Sequence, residues 1–268
     1  MSIPVFIIDT FTSEAFKGNP TAVCLINERI NPGVRLSIAN ELNLPVTAFI
    51  RPLQSDGDYE ISYFTPTTEI PACGHATLAA AQFVLINHNH EKTKFFAPNN
   101  IVISTVSEGD YSTLEYPRFE LQDYAMTDEI LESLKIRHFK SAGICIELEA
   151  LFIELDDENL LKAIQPDFER MVKSNSEIKE IVVTCASSGA KYDFLLRSFC
   201  PWIGIDEDPV TGSVHSVLAE FWQSQLGKSS LTAYQASERG GEVYVTAYDD
   251  KVELSGKSVT VLKGELLI

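Results

Sequence analysis

Two residues able to carry a proton lie just before the two least charged segments of the chain. Cys73 directly precedes residues 74–85, which contain no Asp, Glu, Lys or Arg. Asp208 lies four residues before residues 212–225, whose single charged side chain is Glu220. A helix that is apolar nearly all round is a buried helix. Both segments are therefore predicted to be helices at the centre of a core, each with an ionisable group before its amino end.

This placement suggests proton-transfer chemistry on a small carboxylate. A helix N-terminus offers unpaired N–H groups and about half a positive charge, and so binds anions. Gly74 and Gly212 leave room for a ligand to approach the backbone, and Thr211 and Ser213 add small hydroxyls. The helix end should lower the pKa of a thiol from its usual ~8.5, and helix ends can stabilise the charge that develops beside a carboxylate. We expect Cys73 and Asp208 to form the catalytic pair, and the sequence leaves open which one accepts the proton.

The two segments also form a repeat. Phe64 lies nine residues before Cys73, and Phe199 lies nine residues before Asp208. The same spacing separates Gly74 from Phe83 in the first half and Gly212 from Phe221 in the second. Repeated spacing on both sides of a turn predicts duplicated structural units. The expected domains are residues 1–117 and 118–268, and the two predicted helix ends should face one shared crevice.

The remainder of the chain is rich in short strands. Many runs alternate apolar and polar residues, as half-buried strands do, whereas the further helical segments are few and begin with one at Asn31-Pro32. The predicted fold class is α+β, with two pseudo-symmetric halves that each wrap a curved sheet or barrel around one buried helix. The sequence leaves open whether the last strand, residues 258–268, returns to the first half.

Composition excludes several classes of function. The chain has 268 residues with 38 acidic and 21 basic side chains, a net charge of −17, which disfavours binding to nucleic acid or to an anionic membrane. No run approaches the ~18 apolar residues of a membrane span, and the N-terminus lacks the basic segment of a signal peptide. The five cysteines are odd in number and form no Cys-x-x-Cys pair. We expect a cytoplasmic protein with free thiols and neither metal nor cofactor.

Each site residue also has a purely structural interpretation. A cysteine before a buried helix is more often a small core residue, and an aspartate there is most often an N-cap. His75 could be a satisfied polar core residue. Asn19, in Gly18-Asn19-Pro20, could be a turn residue, although we include it among the expected substrate-binding residues.

Motifs along the whole chain carry a family resemblance. They occur in this order: Asp9-Thr10-Phe11-Thr12, Gly18-Asn19-Pro20, Phe64-Thr65-Pro66, Glu69-Ile70-Pro71, Cys73-Gly74-His75-Ala76-Thr77, Glu207-Asp208-Pro209-Val210-Thr211-Gly212-Ser213, Gln235-Ala236-Ser237 and Arg239-Gly240-Gly241-Glu242. Together they resemble the PhzF-like (phenazine biosynthesis F) family. The resemblance implies the diaminopimelate-epimerase fold and a cofactor-independent isomerase that is usually a homodimer. The characterised member of the family isomerises trans-2,3-dihydro-3-hydroxyanthranilate.

The resemblance also assigns roles to individual residues. It places Gly74, His75, Gly212 and Ser213 at substrate-contacting positions. Asp208 matches a catalytic-site acid, and Cys73 matches a position where related epimerases use a catalytic cysteine.

One position departs from the family pattern. Where the family has its acid–base glutamate, within a segment like Asn-Leu-Ser-Glu-Thr, this chain has Asn43-Leu44-Pro45-Val46-Thr47. Val46 cannot carry a proton, and Glu41 lies in the preceding predicted helix. The first hypothesis is therefore an isomerase or epimerase that uses Cys73 and Asp208. The alternatives are an impaired paralogue that only binds a small ligand, and an acidic interaction protein without a small ligand.

Overall fold

The structure, a computed structural model, describes residues 2–268. Its strands are β1 (Ser2–Thr10), β2 (Asn19–Leu25), β3 (Val46–Pro52), β4 (Asp58–Phe64), β5 (Glu69–Ile70), β6 (Lys92–Ala97), β7 (Ile101–Glu108), β8 (Tyr111–Pro117), β9 (Gln122–Asp123), β10 (Ser141–Cys145), β11 (Ala150–Glu154), β12 (Glu180–Ala186), β13 (Phe194–Cys200), β14 (Ile205–Glu207), β15 (Ser230–Gln235), β16 (Gly241–Ala247) and β17 (Lys251–Leu267). The α-helices are α1 (Pro32–Leu42), α2 (Gly74–His88), α3 (Asp128–Leu134), α4 (Glu158–Ala163), α5 (Phe168–Ser174) and α6 (His215–Leu226), and short 3₁₀ turns occupy Pro98–Asn100 and Pro201–Ile203.

The chain divides into two compact units. Unit 1 comprises residues 1–115 and 253–268, and unit 2 comprises residues 116–252. In unit 1 the last strand, β17, runs antiparallel to β1 and pairs Ser2 with Leu267 and Thr10 with Ser258.

Unit 1 is a closed barrel of eight strands. Its order is β1-β2-β3-β4-β6-β7-β8-β17, and β17 pairs with β1 to close the ring. Helix α2 occupies the interior, where ten consecutive residues, 75–84, are buried. Ala76, Ala79 and Ala80 pack there against larger side chains such as Tyr63 and Phe95. Because the barrel encloses the helix, no side of it faces solvent, which explains why it has no polar face. The run of alanines lets the surrounding strands approach the helix closely.

Unit 2 repeats the strand pattern of unit 1. In unit 1, β2 is parallel to β3, β3 is antiparallel to β4, and β4 is parallel to β6. The corresponding strands β11, β12, β13 and β15 pair in the same sequence of directions. A short strand and a buried helix follow the third strand in both units, namely β5 with α2 and β14 with α6. The predicted α+β class with two pseudo-symmetric halves is confirmed.

The helix of unit 2 is held by aromatic packing. Trp222 of α6 stacks on Phe194 with 5.5 Å between ring centroids, and its Nε1 donates a hydrogen bond to Thr184 Oγ1 at 3.0 Å. The indole is buried and its polar group is satisfied, as a stable core requires. None of the helices within residues 2–268 is long and apolar enough to cross a membrane.

Candidate active site

The thiol predicted to be catalytic lies at the N-cap of α2. Cys73 has an extended backbone with φ of −154°, and its side chain does not cap the helix. The Cys73 carbonyl instead accepts hydrogen bonds from the backbone N–H of Thr77 at 3.0 Å and from its hydroxyl at 2.7 Å. That hydroxyl lies 2.6 Å from the Tyr63 hydroxyl of the barrel wall. These contacts fix the backbone of Cys73 through its carbonyl oxygen rather than through its sulfur.

Cys73, His75 and Asn19 form a contiguous polar cluster. The sulfur of Cys73 lies 3.4 Å from His75 Nδ1 and 3.6 Å from Nε2. The side-chain amide of Asn19 lies 3.3 Å from His75 Nδ1. Asn19 is fully buried at the start of β2, and His75 is 8% exposed. The imidazole therefore lies where it can exchange a proton with the thiol, and the amide restricts its orientation.

Cys73 is distinguished from the other thiols by its exposure. Cys24, Cys145, Cys185 and Cys200 are buried, whereas Cys73 is partly exposed. Burial raises the pKa of Cys24 to about 12, and burial together with nearby carboxylates raises that of Cys185 to about 12. Because the thiolate is the reactive form of cysteine, these two residues carry no useful nucleophile or base near neutral pH.

A glycine positions Asn19. Gly18 has φ of +65°, and a Cβ atom built on it would lie 2.0 Å from the carbonyl oxygen of Thr10. The Thr10 hydroxyl donates a hydrogen bond to the Asn19 carbonyl at 3.1 Å. The tight approach of these two chain segments requires glycine, since any side chain would push them apart.

Val46 occupies an apolar environment. It is the first residue of β3, is 3% exposed, and belongs to the same barrel core as Ala76 and Ala80 of α2. Cys73 packs against this core cluster. A carboxyl group here would be buried among hydrocarbon side chains, and valine instead adds to the core.

In unit 2, Asp208 lies in a loop whose hydrogen bonds are closely specified. Its Oδ2 accepts a hydrogen bond from the Thr211 hydroxyl at 2.6 Å, and its backbone N–H donates to the Ser198 carbonyl at 3.0 Å. The fully buried side chain of Gln235 donates to the Asp208 carbonyl and accepts from the Thr211 N–H, both at 2.8 Å. One amide therefore ties together both ends of the segment between Asp208 and Thr211.

The helix after this loop begins later than predicted. The sequence places its start at Gly212, whereas α6 begins at His215, so Asp208 lies seven residues before the helix and is not its N-cap. Gly212, Ser213 and Val214 instead form successive tight turns, in which each carbonyl accepts a bond from the N–H three residues on. His215 Nδ1 also lies 3.1 Å from the Thr211 carbonyl and 3.2 Å from that of Gly212. If the helix began at Gly212, backbone N–H groups would donate hydrogen bonds to these two carbonyls. The imidazole competes with those N–H groups.

His215 is neutral, and its imidazole binds carbonyl groups of this turn. Burial lowers its pKa to about 4, against the opposing effect of hydrogen bonds to Gly212 and Thr211. A carbonyl can only accept a hydrogen bond, so Nδ1 carries the proton.

Gly212 itself is closely packed, because a Cβ there would lie 3.1 Å from the hydroxyl oxygen of Tyr116. The absence of a side chain at Gly212 thus keeps the backbone against the tyrosine.

A second carboxyl group lies close to Asp208. Glu180, at the start of β12, accepts a hydrogen bond from the Ser198 hydroxyl, and the Ser198 carbonyl binds the N–H of Asp208. Burial raises the pKa of Glu180 to about 7; the bond from Ser198 opposes this effect and the charge of Asp208 adds to it. Burial and the charges of Asp208 and Glu180 also raise the pKa of the Cys200 thiol. Unit 2 therefore holds a carboxyl that changes protonation near neutral pH.

The predicted site residues form two groups. Unit 1 brings together Cys73, Gly74, His75 and Asn19, and unit 2 brings together Asp208, Thr211, Gly212 and Ser213. Sequence reasoning missed the organising roles of Gln235 and Glu180. Gln235 was visible only as part of a family motif. Nothing in the local sequence of Glu180 indicated that Ser198 and Asp208 would lie beside it.

Comparison with known proteins identifies the family. The PhzC-PhzF family, described as phenazine biosynthesis-like protein, matches residues 8–264. A Halalkalibacterium halodurans protein described as an uncharacterized isomerase is 37% identical, and the match covers 100% of both chains. The crystal structure of a PhzF-family protein from Enterococcus faecalis superposes with a TM-score of 0.91 at 34% identity, again over 100% of both chains. The chain belongs to the PhzC-PhzF family.

The fold extends to more distant proteins. A hydroxyproline epimerase from Agrobacterium vitis, solved with bound trans-4-hydroxy-L-proline, has a TM-score of 0.62 at 10% identity. That match covers 99% of this chain and 92% of the epimerase. The likeness establishes a shared fold.

Proposed function

We propose that this protein is an isomerase or epimerase that moves a proton on a small carboxylate metabolite without a cofactor. Cys73 and Asp208 carry the proton, and Gly74, His75, Asn19, Thr211, Gly212 and Ser213 bind the substrate. In the reaction, one group removes a proton from a carbon atom near the carboxylate. The electron pair shifts toward the carboxylate, and the other group returns a proton at a different carbon or on the opposite face.

The observation that carries the proposal is the environment of the Cys73 sulfur. It is the partly exposed thiol of the chain, it lies at the amino end of a 15-residue helix, and His75 lies within 3.4 Å. A helix N-terminus and an adjacent imidazole both favour proton release from a thiol. The isomerase description of the Halalkalibacterium relative and the epimerase of the same fold support this class of reaction.

The hydrogen bonds around Asp208 support its role. Thr211 donates to the carboxylate, and Gln235 holds the loop from behind through backbone groups. These hydrogen bonds orient the carboxylate within its loop. A fixed orientation suits a group that must exchange a proton with a bound substrate.

A second candidate function is ligand binding without catalysis. The observation that favours it is Val46, a buried apolar residue. The sequence resemblance implies an acid–base glutamate at this position in the family. A missing acid or base typically costs about 10²–10⁴-fold in rate. Under this alternative the protein binds the carboxylate and leaves its C–H bonds unchanged.

Solvent hydrogen exchange distinguishes the two functions. The purified protein would be incubated in heavy water with a panel of small acids: L-proline, trans-4-hydroxy-L-proline, L-alanine, L-lactate and 3-hydroxyanthranilate. Proton NMR would follow the loss of carbon-bound protons, and thermal shift would report binding. Exchange in at least one acid supports the isomerase. Thermal stabilisation by an acid without exchange supports the binding protein, and an unchanged melting temperature across the panel contradicts both.

We further propose that the protein works in the cytoplasm as a homodimer within a biosynthetic route. The free state of all five thiols supports a reducing compartment. Sedimentation velocity tests the oligomeric state, and a monomer at micromolar concentration would contradict it.

A further inference from the structure

A cavity of about 780 Å³ lies on the outer face of the unit 1 barrel, beside α1. Side chains alternate between the two faces of a strand. In β4, Tyr59 and Tyr63 belong to the core around α2, whereas Glu60 and Ser62 line the cavity. Ile61 belongs to that core and also contributes to the floor of the cavity. None of the residues proposed for proton transfer or substrate binding lines this cavity.

The cavity contains an arginine without a counterion. Arg35 of α1 donates from Nη1 to the Ser62 hydroxyl at 2.6 Å, and its guanidinium carbon lies 5.0 Å from the centre of the Phe64 ring. Its Nε atom is buried and finds no acceptor within the described residues. No carboxylate of residues 2–268 lies within ion-pair distance of Arg35. Leaving a buried donor and a partly buried charge unpaired is costly.

The other charges around the cavity do not neutralise Arg35. Glu60 pairs with Arg51, which lies directly opposite it on β3, and with Arg29 at 3.4 Å. Burial alone raises the pKa of Glu60, but the hydrogen bonds and charges of Arg51 and Arg29 outweigh burial and lower it below its usual range. Glu60 is therefore ionised and shared between two arginines. With the exposed Glu69, the lining carries three positive and two negative charges in a chain of net charge −17.

The floor of the cavity is apolar. Phe49, Ile61 and Phe96 line it together with Ile26 and Ala97. Ligand cavities of ~300–1,000 Å³ that combine an apolar lining with a few placed polar groups are typical of small-molecule sites. The single uncompensated cation matches a monoanion. The hydrophobic floor favours an aromatic or aliphatic body over a compact, strongly hydrated ion.

We propose that this cavity binds an amphipathic organic monocarboxylate, with the carboxylate on Arg35 and the apolar body on the Phe49 and Phe96 side of the floor. The site is separate from the proposed proton-transfer residues, so the inference holds whether or not the chain is an isomerase. The carboxylate of the ligand supplies the counterion that the Arg35 guanidinium lacks among residues 2–268.

Calorimetric titration with 2-naphthoate tests the site, with 2-naphthamide as the uncharged analogue and inorganic phosphate as the ion without an apolar body. Titrations use the full chain carrying Cys73→Ala, so that binding at the proposed catalytic residues is reduced. We expect 2-naphthoate to bind about tenfold or more tightly than either of the other probes. Equal affinity for 2-naphthoate and 2-naphthamide would overturn the proposal.

Three variants locate the binding. Arg35→Gln should weaken 2-naphthoate binding about tenfold or more, whereas Arg170→Gln, the same charge change on an exposed arginine of unit 2, should leave it unchanged. Glu60→Gln should tighten binding severalfold because it releases Arg51 and Arg29. A purely structural role for these charges gives no such gain, so this variant tests the site even if Arg35→Gln does not fold.

A second copy of the chain is the competing occupant. Sedimentation velocity of the wild type and of Arg35→Gln distinguishes it. If the wild type associates, does not bind 2-naphthoate, and dissociates on Arg35→Gln, the cavity is an interface and the small-ligand proposal is wrong. An association state that is the same in both proteins, together with 2-naphthoate binding by the wild type alone, supports the proposal.

Discussion

The sulfur of Cys73 lies 3.4 Å from Nδ1 of His75, in the first turn of the helix that fills the unit 1 barrel. Both residues lie at the amino end of this helix. A thiol at a helix N-terminus with an imidazole alongside has two reasons to release its proton. This pair should therefore be the most reactive part of the chain toward electrophiles.

We predict that iodoacetamide alkylates Cys73 before any other cysteine of the native protein. The other four thiols are buried, and burial raises the pKa of Cys24 and Cys185 to about 12. Peptide mass spectrometry after brief labelling at neutral pH should find Cys73 modified at least about a hundredfold faster than the others. Cys73→Ala should remove this fast phase, and Cys145→Ala should leave it unchanged. Faster modification of any buried cysteine would contradict the assignment.

Gly18 provides a test of how the chain holds Asn19. Gly18→Ala places a methyl group 2.0 Å from the Thr10 carbonyl oxygen at φ of +65°. Gly109 has a similar φ of +59°, but a Cβ there would meet nothing within 4 Å. Gly109→Ala should cost about 1–2 kcal/mol through backbone strain alone. Gly18→Ala should lower the free energy of unfolding, measured with urea, by at least about 2 kcal/mol more than Gly109→Ala does, because the two chain segments must separate. Equal losses would show that the close approach is not required.

The partly buried carboxyl of Glu180 should make the protein less stable as pH rises. Its pKa is raised from 4.5 to about 7, so between these values the native state holds a proton that the unfolded chain has released. Glu180→Gln removes this titration. The free energy of unfolding of the variant minus that of the wild type should therefore increase between pH 4.5 and 7. It should reach roughly 3 kcal/mol at most. Urea unfolding at pH 5 and pH 8 measures this change. Glu177→Gln, on an exposed neighbour, is the control, and a constant difference between Glu180→Gln and wild type would contradict the prediction.

His215 titrates with the opposite sign. Burial lowers its pKa from 6.5 to about 4, so between these values the unfolded chain binds a proton that the native state excludes, and stability falls as pH falls. This effect offsets that of Glu180 over much of the same range. The wild-type profile should therefore look flatter between pH 4.5 and 6.5 than the profile of either His215→Gln or Glu180→Gln.

The sequence predicted the fold largely through its uncharged helices. Ten buried residues in a row within α2 require a surrounding sheet, and the nine-residue spacings anticipated the repeated topology. The start of α6 was wrong by three residues. The side chain of His215 occupies the carbonyls of Thr211 and Gly212, a tertiary contact that helix propensity does not register. Strands such as β6 and β15 give a weak sequence signal because their alternation is short and mixed with lysine, serine or glutamine.

Residue type indicated the candidate site residues, but it did not indicate which residues contact them. Asn19 looked like a turn residue, yet it is buried and meets His75 across 56 positions of sequence. Gln235 reaches Asp208 and Thr211 from a strand that begins after α6. Contacts over such separations depend on which strands pair, and strand pairing is set by the whole sheet. Local pattern therefore indicated Cys73 and Asp208 as candidates, whereas the residues that contact them could be found only from the fold.

The most direct test of the central claim is the rate at which single-site variants exchange deuterium into whichever panel acid the wild type turns over. Cys73→Ala and Asp208→Asn should each lower that rate by about 10²–10⁴-fold while circular dichroism and melting temperature stay near wild type. Cys145→Ala, the matched cysteine control, should retain it. Full exchange by either Cys73→Ala or Asp208→Asn would show that the proton travels through other groups, and the proposed mechanism would be wrong.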